Sequence, residues 1–201
     1  MTGTDTAHEN LGEKLNPPHF SYATMAISTE VDQIRKGIEP AAWARAGALL
    51  LEASAVFTVG TGRSGLALQM AAMRFMHLGL DTHVVGETTA RAIGSGDVLV
   101  AASGSGSTAR VVRAAETARA QGASVVALTT NPDSALAKTA TEVLVIPAAD
   151  KQDFDGTAST QYGGSLFEQS VLLLTDALFH TLWRSSGTQA SELWRLHANL
   201  E

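Results

Sequence analysis

The chain has 201 residues, with fourteen Lys and Arg against twenty Asp and Glu, a net charge of −6. Its residues are 45% hydrophobic and 17% charged, enough apolar content for a sizeable core, which excludes disorder as the dominant state and fits one domain. The acidic balance and the lack of a Lys/Arg run argue against nucleic acid as the main partner. The absence of Cys excludes disulfides, thiol catalysis and Cys-ligated zinc.

Residues 1 to 21 read as a loose polar arm carrying Pro17 and Pro18, with no signal-peptide core. A helical pattern starts at Tyr22 and runs to Ile38, with Met25, Ile27, Val31 and Ile34 on its apolar side. A second helix covers Ala41 to Glu52, with Pro40 suited to its first turn. Then short β-type runs alternate with helices. Ala55–Val59, Thr82–Val85, Val98–Ala102, Ser124–Leu128 and Glu142–Ile146 read as five strands. Between them lie a helix from Leu66 to Leu78 ending at Gly79, and another from Thr108 to Gln121 ending at Gly122. A short helix follows, with Asn131 as N-cap and Pro132 in its first turn. A polar loop from Ala148 to Gly164 leads to a long helix, Ser165 to about Arg184, and a last helix covers roughly Thr188 to Asn199.

Alternation of this kind implies βαβ units and a mostly parallel sheet with helices on both faces. The strands lack in/out alternation, as strands buried on both sides should. The apolar stretch Val171–Trp183 is broken by Thr175, Asp176, His180 and Thr181, short of the roughly 18 residues of a membrane span. The expectation is a soluble, cytoplasmic protein without membrane or nucleic-acid partners.

Two glycine loops follow strands. Gly60-Thr-Gly62-Arg63-Ser64-Gly65 is a G-x-G-x-x-G turn, which in a dinucleotide fold lets the chain approach a pyrophosphate. Glu87 is a tolerable acidic partner for that reading, so a nicotinamide-dependent dehydrogenase stays open. An ordinary Gly-tolerant βα turn stays open too, although Arg63 adds a cation that a plain turn does not need. The second loop, Ser103-Gly104-Ser105-Gly106-Ser107-Thr108, gathers hydroxyls and glycines ahead of a helix. Inward-pointing N–H groups, hydroxyl donors and the helix dipole suit one phosphate group. The competing view is a plain turn with Ser105 or Ser107 as helix cap. No Lys follows the glycines, which disfavours ATP. Two phosphate-compatible loops together favour a phosphosugar.

The sheet pattern with S-G-S-G-S-T resembles the SIS (sugar isomerase) domain, and within it the 6-phospho-3-hexuloisomerase family. The matching segments are G-T-G-R-S-G at 60–65, Met73–Gly79, Val84–Thr89 and Gly96-Asp97, together with the 103–108 loop, Gly164–Gln169 and the closing His197–Glu201. The resemblance runs from about residue 22 to the end. The sequence departs from the family's pattern at Ala90 and Arg91, at Ser107, and at Leu196, which displaces Arg195 by one.

The resemblance implies one SIS domain over residues 22–201 with N-terminal helices and a C-terminal helical tail. It implies a flavodoxin-like five-stranded parallel sheet and a homotetramer with sites between subunits. The reaction implied is interconversion of 3-hexulose 6-phosphate and fructose 6-phosphate, a step of formaldehyde assimilation by the ribulose monophosphate route that couples to a hexulose-phosphate synthase.

That chemistry needs a base within reach of a carbon-bound proton and a donor for the enediolate oxygen. It needs no metal, nucleotide or redox cofactor. Glu168 is the candidate base, against the reading of Ser165-x-x-Glu168 as a capping box. His77 and His197 compete for the second acid/base role, against a helix-end His that bonds carbonyls and a frayed terminus. Arg63 and Glu87 are candidate substrate contacts. His83, His180, His8 and His19 read as structural or solvated. A sugar-phosphate-binding SIS regulatory module, which needs the phosphate loop but not Glu168, is the alternative.

Overall fold

The computed structural model describes residues 17–153, 155–156 and 158–200. Residues 1–16 of the expected arm, with His8, and the terminal Glu201 lie outside these. The elements in chain order are α1 (Pro17–Lys36), α2 (Pro40–Glu52), β1 (Val56–Val59), α3 (Gly62–His77), β2 (Thr82–Val84) and β3 (Val98–Ala102). They continue with α4 (Ala109–Ala120), β4 (Ser124–Thr129), α5 (Ala135–Thr139), β5 (Glu142–Val145), α6 (Ser165–Ser186) and α7 (Ala190–Trp194). Among the described residues no helix is long and apolar enough to cross a membrane.

Four elements differ most from the sequence expectation, and one of them is α3, which begins at Gly62 rather than Leu66. The first helix starts at Pro17 rather than Tyr22, because Pro in a first turn has no N–H to lose. The short helix is capped by Ser134, whose Oγ accepts from Ala137 N at 3.2 Å. Asn131 instead turns the chain ahead of it, its Oδ1 accepting from Asp133 N. The last helix shrinks to Ala190–Trp194, which buries no residue against the body.

The five strands form one parallel sheet in the order β2-β1-β3-β4-β5. Alternate residues feed two cores. Val56, Val98, Val100, Val126 and Leu128 pack under α2, α3 and α6, and Phe57, Leu99, Ala101, Val125 and Ala127 pack under α4 and α5. The inner strands β1, β3 and β4 are buried on both faces, which is why they read as apolar runs, while the edge strands β2 and β5 are partly exposed. Strand order reverses between β1 and β3, so the loops after these strands diverge and open a crevice at their carboxyl ends.

The β2–β3 connection contains no helix. Arg91 holds it by a two-pronged pair with Asp97, both bonds 2.8 Å, and Gly94 N donates to the same carboxylate. The Arg91 guanidinium keeps the Asp97 carboxyl below its ordinary pKa although Asp97 is buried. Arg91, a departure from the family's pattern, thus has a structural partner here.

Candidate active site

The loop after β1 brings backbone against backbone. A Cβ on Gly60 would lie 2.8 Å from Gly65 Cα, so larger residues would push α3 off the strand. Thr61 is the N-cap of α3 and Gly62 its first residue. The G-x-G-x-x-G spacing is used for this close strand–helix approach.

The loop after β3 is tied from within and from behind. Ser103, 4% exposed, has its Oγ 2.8 Å from Thr108 Oγ1. Ser107 Oγ donates to Ser105 Oγ at 2.9 Å. The Gly104 carbonyl accepts from Thr129 Oγ1, Thr130 Oγ1 and Thr130 N at 2.9–3.0 Å. Gly106 has φ +62°, and a Cβ there would fall 2.0 Å from Ser134 Oγ. Only glycine fits, and the curl it permits shapes the cradle ahead of α4.

A cavity of about 240 Å³ lies between these loops and the start of α6. Gly62 and Ser64 line it from the first loop, Ser103, Gly104, Ser105 and Thr108 from the second, and Glu168 from α6. Gly60 and Gly106 support the walls from behind, and Ser107 stands exposed beside Ser105. Thr61, Thr130, Asp150, Lys151 and Phe167 also line the cavity and were not singled out in the sequence. Lys151 follows β5, and ligands in such sheets sit outside the carboxyl ends of strands, so that position was its one available signal.

Glu168 does not form a capping box. The N-cap of α6 is Gly164 at φ +83°, and Ser165 Oγ donates to Tyr162 O. The Glu168 carboxylate, 17% exposed, instead accepts from Arg63 Nε at 2.5 Å; Arg63 is 64% exposed. Arg63 therefore meets the candidate base directly.

The histidines gather elsewhere. His77 closes α3, 3% exposed, and stacks on His197 with ring centroids 4.0 Å apart; Trp194 stacks on the other side of His197 at 4.4 Å. Burial lowers the His77 pKa, with further lowering from His197 and Arg74. His77 Nδ1 is buried without a hydrogen-bond partner, so that nitrogen does not cap a helix carbonyl. Arg63 and His77 stand at opposite ends of α3, about 21 Å apart along its axis. Within one chain, Glu168 and the two histidines are not brought together.

Glu87 also falls outside the cavity. It lines a second one, of about 640 Å³, with Phe57, Val85, Arg110 and Arg113 on the α4 side of the sheet. The edge position of β2 carries its following loop away from the crevice, so within one chain Glu87 does not line this cavity. His83 stacks on Phe57, and His180 lies exposed, edge-on to Trp183.

Residues 49–175 match the SIS domain model. The chain is 49% identical over 175 residues to the 3-hexulose-6-phosphate isomerase of Mycobacterium gastri, covering 87% of this chain and 88% of that protein. It is 36% identical over 194 residues to the 3-hexulose-6-phosphate isomerase of Bacillus subtilis, covering 96% and 98%. Its fold matches the crystal structure of a Methanococcus jannaschii protein inferred to be a 3-hexulose-6-phosphate isomerase. That match has a TM-score of 0.77 at 23% identity and covers 90% of this chain and 99% of the other. With the doubly wound sheet, the two glycine loops and these relatives in agreement, the chain belongs to the SIS domain family and groups within it with the 3-hexulose-6-phosphate isomerases.

Proposed function

We propose that this protein is an isomerase interconverting 3-hexulose 6-phosphate and fructose 6-phosphate. The observation that carries this reading is the shared cavity, in which the largely buried Glu168 carboxylate and the hydroxyl-bearing Ser103–Thr108 loop line the same walls. The Ser103–Thr108 loop and the N-terminus of α4 hold the phosphate, and Lys151 adds a positive charge on the same wall. Moving the carbonyl from C3 to C2 starts with removal of the C2 proton by Glu168. The electron pair forms the C2=C3 enediol, and the proton is returned to C3 as the C2 carbonyl forms. One carboxylate on one face suffices for both transfers. Arg63 pairs with the Glu168 carboxylate and orients it at the cavity, and its remaining N–H groups are left to donate to substrate oxygen.

The second acid/base group is His77 or His197 supplied by a neighbouring subunit. Their distance from Glu168 in the same chain supports an assembly with sites between subunits, and a homotetramer is the assembly proposed. A synthase joining formaldehyde to ribulose 5-phosphate would supply the substrate, which places the enzyme in formaldehyde assimilation. The test couples such a synthase to the purified protein and detects fructose 6-phosphate. Turnover of about 1–10³ per second without added nucleotide is expected. Protection by fructose 6-phosphate against heat without turnover would move the regulatory-module reading ahead.

A further inference from the structure

Glu30 lies on α1, outside the cavity, yet its carboxylate accepts four hydrogen bonds from one short segment beside α6. Ser159 Oγ and Gln161 Nε2 donate to Oε2 at 2.7 and 2.9 Å; Thr160 N and Thr160 Oγ1 donate to Oε1 at 2.8 and 2.7 Å. Burial opposes the charge, but these donors outweigh it and hold the Glu30 pKa down to about 2. The turn is therefore wrapped around a permanent anion. An amide in the same place has one acceptor oxygen and a surplus donor, and cannot satisfy the same set.

The bonds continue toward the base. Gln161 Oε1 accepts from Gln169 Nε2 at 2.8 Å, and Gln169 follows Glu168 in the opening turns of α6. The same segment runs into Tyr162, whose carbonyl accepts from both Ser165 N and Ser165 Oγ, and into the Gly164 cap packed beside Lys151. The cradle at 103–108, in contrast, is held by Thr129 and Thr130.

We infer that Glu30 is a positioning residue for the isomerase reaction: through Gln161 and Gln169 it fixes the start of α6 so that Glu168 meets Arg63 at the cavity. This rests on the reading of Glu168 as the base. It follows that Glu30 governs the chemical step and leaves phosphate binding alone.

Glu30→Gln tests this in the full-length protein. The expected result is a fall in kcat of about tenfold, the scale of a small misplacement of a reacting group. The Kd for fructose 6-phosphate should stay within about twofold of the parent's. Amide hydrogen exchange should quicken at residues 165–169 and stay unchanged in the sheet. Gln169→Met cuts the relay at its other end while leaving Glu30 bonded, and should give the same kcat loss. Unchanged kcat and exchange in Glu30→Gln would overturn the inference, as would a kcat loss matched by equal losses of ligand binding and Tm. If Glu30→Gln fails to fold, Gln169→Met decides, and a parent-like kcat in it is the overturning result. If the parent itself yields no fructose 6-phosphate, the isomerase reading fails. The exchange arm then judges the Glu30 link by itself: unchanged protection at 165–169 overturns it.

Discussion

The two ends of α3 make an instructive pair. Its N-terminus opens on the hydroxyl-lined cavity, where Arg63 reaches Glu168. Its C-terminus carries His77, buried in a stack with His197 and Trp194. The helices α3 and α6 run side by side in the same direction, so Arg74 lies over Phe179 just as Arg63 meets Glu168 one end earlier. Each end gathers groups from both helices, and about 21 Å of helix keeps the ends apart. A single chain thus keeps Glu168 and the two histidines apart, and the proposed reaction needs them joined across subunits.

The sharpest way to break this comparison is at the cavity end. Glu168→Gln should lower turnover about 10³-fold, the range of a lost general base, while calorimetry with fructose 6-phosphate shows binding retained. Residual turnover near the parent's would remove Glu168 as the base. At the other end, His77→Asn should lower kcat about 10²-fold if the stack serves a neighbour's cavity. Co-expressing the Glu168→Gln and His77→Asn chains should then restore turnover well above either alone, because some sites combine an intact Glu168 with an intact His77. No restoration in the mixed assembly would mean the two ends do not share a substrate.

Backbone substitutions should separate the ends more gently. Gly106→Ala places a Cβ in Ser134 at φ +62° and should cost about 1–3 kcal/mol, read by denaturant unfolding. It should also weaken phosphate binding, read by titration. Gly79→Ala at the histidine end has φ +86° and no atom within 4 Å, so only the left-handed strain of about 1 kcal/mol applies.

A pH scan separates them by charge. The His77 pKa is lowered on folding, so its neutral form stabilises the fold above about pH 6.5, and this contribution is lost as pH falls toward the folded value. Tm should drop between pH 7 and 5.5, with a smaller drop in His77→Phe. Asp97 and Glu30, whose pKa values are lowered from 3.8 and 4.5, act only below that window. The smallest effect belongs to Arg63→Gln. Arg63 itself is mostly exposed, so stability should change by about 0–1 kcal/mol, while kcat falls because Glu168 loses its orienting partner.

Much of this was legible beforehand because it is local. Gly79 and Gly122 end their helices at φ +86° and +81°, as a glycine after a last turn should. Ser103–Thr108 curls through bonds between its own neighbours, Ser103 with Thr108 and Ser105 with Ser107, although Thr129 and Thr130 brace it from behind. The Asn131 cap was misplaced because Asn131 and Ser134 are both competent caps, and the packing of Leu136 decides which one opens the helix. Lys151 and Asp150 were missed because nothing in a polar loop marks which residue faces a cavity built by other segments.

The sequence alone determined the elements, the parallel sheet and the two glycine loops, since periodicity, turn chemistry and caps act over a few residues. It offered Glu168, His77 and His197 only as candidates. Tertiary structure decided who meets whom. The reversal of strand order put the two loops around one crevice, the edge position of β2 sent Glu87 into another, and the length of α3 divided Glu168 from the histidines. Glu30 reaches the 159–161 turn only through the packing of α1 beside α6, a contact between segments more than a hundred residues apart, for which no local pattern exists.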